Sequence, residues 1–493
     1  MLFKLKQLYN NGPLFFSAVS IAVILGLVSL FFITDNFLIA LVLLTPFVLL
    51  SLVADYRYIL YLLLFSLPFS INLRIDQLNL NIGFPSEPCI GLLAILALFF
   101  IFSQDKKTGI LSHSLSKLIL FYWLTLVISF IFSTMPMVSL KTLIVSSTYL
   151  LVFYYLLSYY LINNEWKIKQ LFLLYAFPLF GVVIFTIWKH AGYGFDKNYA
   201  AKMVEPFFSD HTIYGACLSF MIPICGILYF RADKLGVSFF QKNMLGIFSL
   251  FFLVGIYLSH SRATWISLMS VPVILLILKF RISFTSVISS LSILLLLAFL
   301  NTDTLMPLLV KNKNDSKGKR ANLEEQVRSV TNIKNDVSNT ERINRWQCAI
   351  RMFKEKPLTG YGVGTYQFKY IPFQKESEMT VISVTSAKNN YSKGMGGTAH
   401  SEYLLALSEN GLFSGIALLA MVLYAVYLGM KLYYKGTDDI KYYALMIMLS
   451  LVTYFLHGIF NNFLTTDKAA FLVWGGLAVL CALDIKYKRN EKI

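Results

Sequence analysis

Apolar runs close to the ~20 residues that an α-helix needs to cross a bilayer recur along this chain of 493 residues. Hydrophobic residues make up 57% of the sequence and charged residues 14%, and the mean hydropathy is +0.64. A soluble globule does not carry so much apolar sequence, so we predict an all-α polytopic membrane protein. About fourteen transmembrane helices are expected, at 14–34, 37–54, 58–73, 88–103, 117–134, 142–162, 170–188, 211–230, 243–259, 264–280, 283–300, 411–430, 441–458 and 469–485.

One long polar excursion interrupts these spans and divides the chain into three parts. Residues 1–300 hold the first eleven predicted helices, and residues 301–410 form a large extracytoplasmic loop that contains short helices. Residues 411–493 hold the last three helices and a polar tail. Chemistry that needs water is therefore expected in or beside the loop.

The distribution of basic residues predicts the orientation of the chain in the membrane. The net charge of +17 comes mostly from short connections between spans, which indicates membrane topology and not a nucleic-acid partner. With the N-terminus inside, Lys and Arg concentrate in the even-numbered connections and in the tail, so both termini are predicted to be cytoplasmic. The first span follows Lys4 and Lys6 and is expected to be a retained anchor.

This topology brings polar chemistry to one side of the membrane. Of the six histidines, five lie at the predicted outer ends of helices or in outer loops, together with Arg262 and the whole of 301–410. We therefore expect a shared extracytoplasmic site. The five histidines are His190, His211, His260, His400 and His457.

The polar excursion carries three readable patterns. Apolar residues at helical spacing in TERINRWQCAIRMFKE predict an amphipathic helix with Arg342 and Arg345 near its start and a stop at Pro357. GYGVG at 360–364 follows no predicted strand, so a tight turn is favoured over a dinucleotide site. His400 lies where a Gly-rich segment enters a second helix, a place where free backbone N–H groups favour anions.

These same residues carry a resemblance to a known family. Arg342-x-x-x-Trp346, PLTGYGVG at 357–364, AHSEYL at 399–404 and ENGLFSG at 409–415 resemble the signature segment of the O-antigen ligase and O-antigen polymerase superfamily. SHSRATW at 259–265 and PFFSDHTIYG at 206–215 are also similar to segments of that family.

The resemblance implies a bacterial inner-membrane glycosyltransferase that works on the periplasmic side without a metal or other cofactor. Its donor would be a glycan on undecaprenyl diphosphate, and its acceptor a lipid A core or another lipid-linked glycan, with membrane lipids as surroundings. The family's functional arginines and histidine correspond to Arg262, Arg342 and His400.

Physical chemistry supports these three residues separately. Release of a lipid diphosphate leaves negative charge that must be held at the bilayer surface, and arginine binds phosphate oxygens through a planar fork that stays charged. The acceptor hydroxyl must lose a proton, for which a neutral histidine with a pKa near ~6.5 is the usual base. We expect His400 to be this base, and Arg345, His211 and His260 to bind substrate.

Neither a metal nor a different class of protein is favoured. The first sizeable outer loop, 73–88, holds Asp76 and Glu87, which are too far apart for the paired acidic motif of metal-dependent membrane glycosyltransferases. A lipid-linked oligosaccharide transporter is the competing class, but transporters carry ionisable groups near mid-membrane. Ligase, polymerase and protein-glycosylating activities stay open at this point.

Overall fold

The computed structural model describes residues 55–75, 80–163, 167–300, 337–375, 378 and 397–491. Within these ranges the chain forms 16 helices and a single antiparallel hairpin. In the first half the elements are α1 Tyr56–Ser66, β1 Ile71–Ile75, β2 Leu80–Phe84, α2 Ser86–Thr108, α3 Ser114–Ile131, α4 Pro136–Asn163, α5 Ile168–Ala191, α6 Ala200–Met203, α7 His211–Phe230 and α8 Phe239–Leu258.

The second half begins with two long apolar helices and then enters the polar segment. Helix α4 contains a π-helical turn over Leu150–Leu156, and the other long helices are α-helical throughout. The remaining elements are α9 Arg262–Lys279, α10 Phe284–Leu300, α11 Val337–Glu355, α12 Tyr366–Lys369, α13 Glu402–Asn410, α14 Leu412–Lys435, α15 Asp438–Phe460 and α16 Asp467–Asn490.

Ten of the helices are long and apolar enough to cross a membrane. They correspond to ten of the predicted spans, so the all-helical membrane class is confirmed. Helix α10, at the predicted span 283–300, has 17 residues. The predicted spans 14–34 and 37–54 lie outside the described residues, as do 301–336 and most of 376–396 of the predicted large loop.

The predicted span at 58–73 is wrong as a continuous helix. The apolar helical segment ends at Phe69, and the chain continues into β1, whose Ile71 pairs with Phe84 of β2. Pro68 lies in a short 3-10 turn between the two elements. The helical part is 14 residues by the bounds Tyr56–Phe69, or about 21 Å at the α-helical rise, which is shorter than the bilayer core.

Helix α16 forms the centre of the bundle. All of its membrane-length window is buried, against 28% for α8 and 33% for α9. The Phe471 ring on α16 contacts the rings of Phe153 at 5.7 Å and Tyr175 at 5.2 Å, which joins α4 and α5 to the centre. Helices α8 and α9 therefore lie toward the periphery, where apolar side chains face outward.

The connections gather at two ends of the bundle. Helices α11 and α13 lie at one end, called here the loop end, together with the hairpin, the start of α9 and the end of α15. Lys468, at the start of α16, donates to the Ser70 carbonyl at 2.8 Å and so fixes the base of the hairpin at this end. The other end, called the Asp484 end, holds the termini of α2, α3, α14 and α16.

The GYGVG segment forms the tight turn that its glycines predict. Gly360, Gly362 and Gly364 all have positive φ, and a Cβ at Gly360 would lie 2.2 Å from the Glu409 carbonyl. The Glu409 carboxylate accepts hydrogen bonds from the backbone of Gly364 and Tyr366, each at 2.8 Å. Burial raises the pKa of Glu409 to about 7, although these two donors lower it. The turn thus joins α11 to α13.

Candidate functional site

The beginnings of α7 and α9 approach each other closely at the loop end. A Cβ at Gly215 of α7 would lie 2.4 Å from Thr264 Oγ1 of α9, so only glycine fits at this crossing. The close approach brings the Asp210–His211 pair, at the start of α7, beside Arg262, the first residue of α9. Helix α15 packs on both α7 and α9 and ends at the same place.

Arg262 introduces a positive charge where the helix itself is already electropositive. It is the first helical residue after Ser261, is partly buried, and follows His260, whose φ is 50°. The free N–H groups at a helix N-terminus favour an anion, so an arginine here increases the pull on a negatively charged group.

Arg342 lies on α11, which the sequence predicts correctly as a helix, and faces the same region. Burial lowers the pKa of Arg342, and the like charge of Arg262 lowers it further, while Asp210 raises it. The charges of Arg262 and Asp210 therefore both act on Arg342. The buried Nε of Arg342 has no hydrogen-bond partner among the described residues.

His400 precedes α13 by two residues, as predicted for a helix entry. Its φ is 50°, and Ser401 caps the helix by accepting from Leu404 N at 3.4 Å. Trp346 Nε1 of α11 donates to the His400 carbonyl at 3.0 Å, which holds the backbone of His400 against the helix that carries Arg342.

The His400 ring is neutral at physiological pH. Burial lowers its pKa most, and the charges of Arg345 and Arg342 lower it further, to about 4. The value near ~6.5 applies to an unperturbed histidine, and here burial and two guanidinium groups lower the pKa below it. A neutral imidazole keeps the lone pair that a proton acceptor needs.

Arg345 is predicted to bind substrate, and the structure gives it several internal contacts. The side chain is buried, its Nε donates to Glu341 at 2.8 Å, and its guanidinium lies 4.8 Å from the centre of the Tyr370 ring. Nη1 reaches the Thr398 carbonyl at 3.4 Å, two residues before His400. Arg345 thus joins α11 to the segment that carries His400.

The side chains of His211 and Asp210 lie in contact at the start of α7. His211 Nδ1 lies 2.7 Å from Asp210 Oδ1, and the other carboxylate oxygen accepts from Thr212 Oγ1 at 2.6 Å. Asp210 caps α7 by accepting from the backbone of Thr212. Burial alone would raise the pKa of Asp210. The contact with His211 and the hydrogen bonds from Thr212 outweigh burial and hold this pKa well below its usual range.

His260 belongs to a second group of side chains at the same end. Its ring centre lies 6.3 Å from that of His190, and His190 Nε2 lies 3.0 Å from the Asp196 carbonyl. Burial, followed by the charges of Lys197, His190 and His211, lowers the pKa of His260 to about 4. The ring is therefore also neutral near pH 7.

Two residues of this site have no functional assignment from the sequence. Asp210 occurs there only within the segment 206–215, yet its charge acts on both Arg342 and His400. His457, at the end of α15, is buried, and its Nε2 lies 3.0 Å from Asn461 Nδ2. The one signal for His457 in the sequence is its predicted position at the outer end of a helix, with four other histidines.

Comparison with known proteins identifies the segment that carries most of this site. A family model described as O-antigen ligase matches residues 247–419. This range contains Arg262, Arg342, Arg345, His260 and His400, whereas Asp210 and His211 precede it. No curated protein matches the chain. The arginines and His400 therefore lie in the segment that the O-antigen ligase model matches, and the resemblance of this segment to the O-antigen ligase superfamily is confirmed.

Proposed function

We propose that the protein transfers a glycan from an undecaprenyl-diphosphate carrier to a sugar hydroxyl of an acceptor, without a metal ion, on the periplasmic side of a bacterial inner membrane. The observation that carries the proposal is that Arg342 lies under the charge of Arg262 and itself acts on a neutral His400, while its buried Nε has no hydrogen-bond partner among the described residues. A site for a diphosphate leaving group and a proton acceptor needs these groups together.

The arginines would act on the leaving diphosphate. As the bond between the anomeric carbon and the diphosphate oxygen breaks, its electron pair stays with that oxygen and adds negative charge there. Two guanidinium groups, one at a helix N-terminus, stabilise this charge more than that of the bound donor, which lowers the barrier. Asp210 is the carboxylate that acts on Arg342 and would orient it in the free protein.

His400 would act on the acceptor. The acceptor oxygen forms the new bond to the anomeric carbon, and its proton moves to the neutral His400 ring. The low pKa of His400 in the free protein makes it a weak base. A bound diphosphate would neutralise the arginine charge, raise the pKa of His400 and so strengthen the base only when the donor is present.

The remaining predicted site residues receive different parts in this scheme. His211 and His260, both near Arg262, would contact the sugars as hydrogen-bonding groups. Arg345 would act as a positioning residue, because its contacts with Glu341, Tyr370 and Thr398 hold the His400 segment. A direct contact of Arg345 with substrate stays a prediction.

Ligase and polymerase share the donor and differ in the acceptor, which is a lipid A core for a ligase and a lipid-linked repeat for a polymerase. We propose the ligase-like reaction because the matched family carries that description. The glycan profile of a deletion strain separates the two. Unattached long chains indicate loss of a ligase, and single repeats on the core indicate loss of a polymerase.

Transfer itself is tested with purified protein in lipid nanodiscs, a lipid-diphosphate glycan and a core acceptor. We expect release of undecaprenyl diphosphate in equal amount to the glycosylated acceptor. A variant with His400→Ala in the same nanodiscs is the control for spontaneous hydrolysis. Movement of the intact donor across a sealed vesicle without bond cleavage would instead identify a transporter.

A further inference from the structure

A cleft of about 500 Å³ opens at the Asp484 end, between the turn that joins α9 to α10 and the last turns of α14. Tyr434 of α14 donates to the Leu278 carbonyl of α9 at 3.2 Å, and the rings of Phe284 and Tyr427 meet edge to face at 5.6 Å. These two contacts hold α14 against α9 and α10 beside the cleft.

The cleft combines positive charge at its mouth with apolar walls. Arg281, Lys431 and Lys435 line it, and no acidic residue is among its described lining. Lys431 already contacts Asp484 at 2.9 Å, whereas Arg281 and Lys435 have no acidic partner in the described part of the chain. Phe284, Met430 and Tyr427 form the apolar part.

The beginning of α10 adds to this positive potential. Ser283 lines the cleft and its Oγ accepts from Ser286 N at 3.1 Å, which places the N-terminus of this 17-residue helix at the cleft. Arg281 has φ of 53°, so the chain turns sharply just before the helix. Helix N-termini favour anions, and here three cationic side chains reinforce the same preference.

We propose that this cleft binds the phosphodiester headgroup of one anionic phospholipid. Arg281 and Lys435 would contact the phosphate oxygens, and the acyl chains would follow the apolar wall toward the bilayer. Basic pockets between transmembrane helices bind anionic lipid headgroups in this way. A fully polar anion would leave the Phe284 and Tyr427 wall unused.

The proposal is independent of the glycosyl-transfer proposal. Arg262 begins α9 and Arg281 follows its end, so the helix separates the two places by about 26 Å along its axis. The cleft can therefore bind lipid whether or not the loop end transfers glycans.

The test uses native mass spectrometry of the full-length protein released from nanodiscs that contain phosphatidylglycerol and phosphatidylcholine. We expect one retained phosphatidylglycerol, and we expect the double variant Arg281→Gln/Lys435→Gln to bind it at least about tenfold more weakly. The charge-matched control is Lys117→Gln/Lys167→Gln, which removes two basic residues from the Asp484 end outside the cleft lining. A second variant, Arg281→Lys/Lys435→Arg, keeps both charges and should keep the lipid.

The outcomes separate the possible sources of phosphate. Loss in the Gln pair, with retention in the other two variants, supports the proposal. Equal lipid binding by the Gln pair and the control pair overturns it. Competition by inorganic phosphate at the lipid concentration also overturns it, because the cleft would then be a free-anion site. Equal retention of phosphatidylcholine and phosphatidylglycerol would show that charge does not select the ligand.

Discussion

The two ends of the helix bundle hold buried charge in opposite ways. At the Asp484 end, the buried carboxylate of Asp484 contacts His113 Nε2 at 3.0 Å, Lys431 at 2.9 Å and Lys488 at 2.7 Å. At the loop end, Arg262 and Arg342 lie close enough to lower the pKa of Arg342, and the buried Arg342 Nε has no partner among the described residues.

This difference distinguishes a structural charge cluster from a binding site. A buried carboxylate surrounded by cations ties together helix ends, because His113 and Lys431 lie on elements other than the helix of Asp484. Neighbouring cations with an unsatisfied buried donor instead raise the free energy of the empty site, and an anionic ligand would relieve that cost. We therefore expect substitutions at the loop end to change activity and those at the Asp484 end to change stability.

The largest expected effect is that of His400→Ala. Loss of a general base should lower the turnover rate by about 10²–10⁴-fold, while donor binding is largely kept because the arginines remain. Turnover is measured as undecaprenyl diphosphate released, and donor binding by titration of the same preparation.

His190→Gln is the matched control, since His190 lies at the same end but its ring contacts the Asp196 carbonyl. Its turnover rate should change far less. If His400→Ala kept its turnover rate, or lost donor affinity alone, the base would have to be another residue, with His211 first.

The second effect tests the Asp484 end. Asp484→Asn leaves His113 and two lysines without their common carboxylate, and removal of one partner from a buried ion pair costs about 3–5 kcal/mol of unfolding free energy. Thermal unfolding in detergent measures the loss. The folded fraction should transfer glycans at the normal rate.

Lys488→Gln is the control for this cluster. The Lys488 side chain is 50% exposed, so its contact with Asp484 should contribute at most about 1 kcal/mol. A Lys488 variant as unstable as the Asp484 variant would mean that the cluster does not depend on the buried carboxylate.

The third effect is that of Arg262→Lys, which keeps the charge and removes the planar fork. If Arg262 binds diphosphate through two parallel hydrogen bonds, transfer should fall by about 10–100-fold with normal insertion and folding. Arg351→Lys is the matched control. Arg351 lies on α11, as Arg342 does, but it pairs with Glu378. Near-normal transfer by the Arg262 variant would mean that this residue supplies only positive charge and no bidentate hydrogen bonds.

The fourth effect concerns pH. Because the pKa of His400 is about 4 in the free protein, kcat/KM should fall less than about twofold between pH 7 and pH 5, and then fall tenfold per unit below pH 4. A histidine with the ordinary pKa of ~6.5 would lower kcat/KM by about 25-fold between pH 7 and pH 5. A pH profile of kcat/KM distinguishes these cases, and a midpoint near 6.5 would contradict the burial of His400 beside the arginines.

Sequence patterns predict the local elements of the site well. The helical spacing after Glu341 predicts α11. The Gly-rich entry before His400 predicts the start of α13, and the glycines of GYGVG predict a turn. Each of these depends on neighbours a few residues apart, which is the range over which periodicity and backbone preferences act.

Other features depend on distant partners or on a misread pattern. Asp484 lies inside a predicted apolar span, and its partner His113 is 371 residues earlier in the chain, so no local pattern reveals the cluster. The strand β1 follows an apolar helix after one short turn, and its first three residues lie within the predicted span 58–73. The alternation of Ile71, Asn72 and Leu73 is the signal that could have identified it.

The smallest expected effect is that of metal removal. If fixed guanidinium groups hold the diphosphate, treatment of the purified enzyme with EDTA should leave the transfer rate unchanged within about twofold, because Arg262 and Arg342 supply the charge that a divalent cation supplies elsewhere. The assay is undecaprenyl diphosphate release before and after chelation, with Arg262→Lys treated in parallel. A rate that falls after EDTA and returns with Mg²⁺ or Mn²⁺ would contradict the proposal that the arginines do the work of a metal ion. It would also remove the functional contrast between the loop end and the Asp484 end. The positive charge that stabilises the diphosphate would then come from a bound metal ion and not from side chains fixed on the helices.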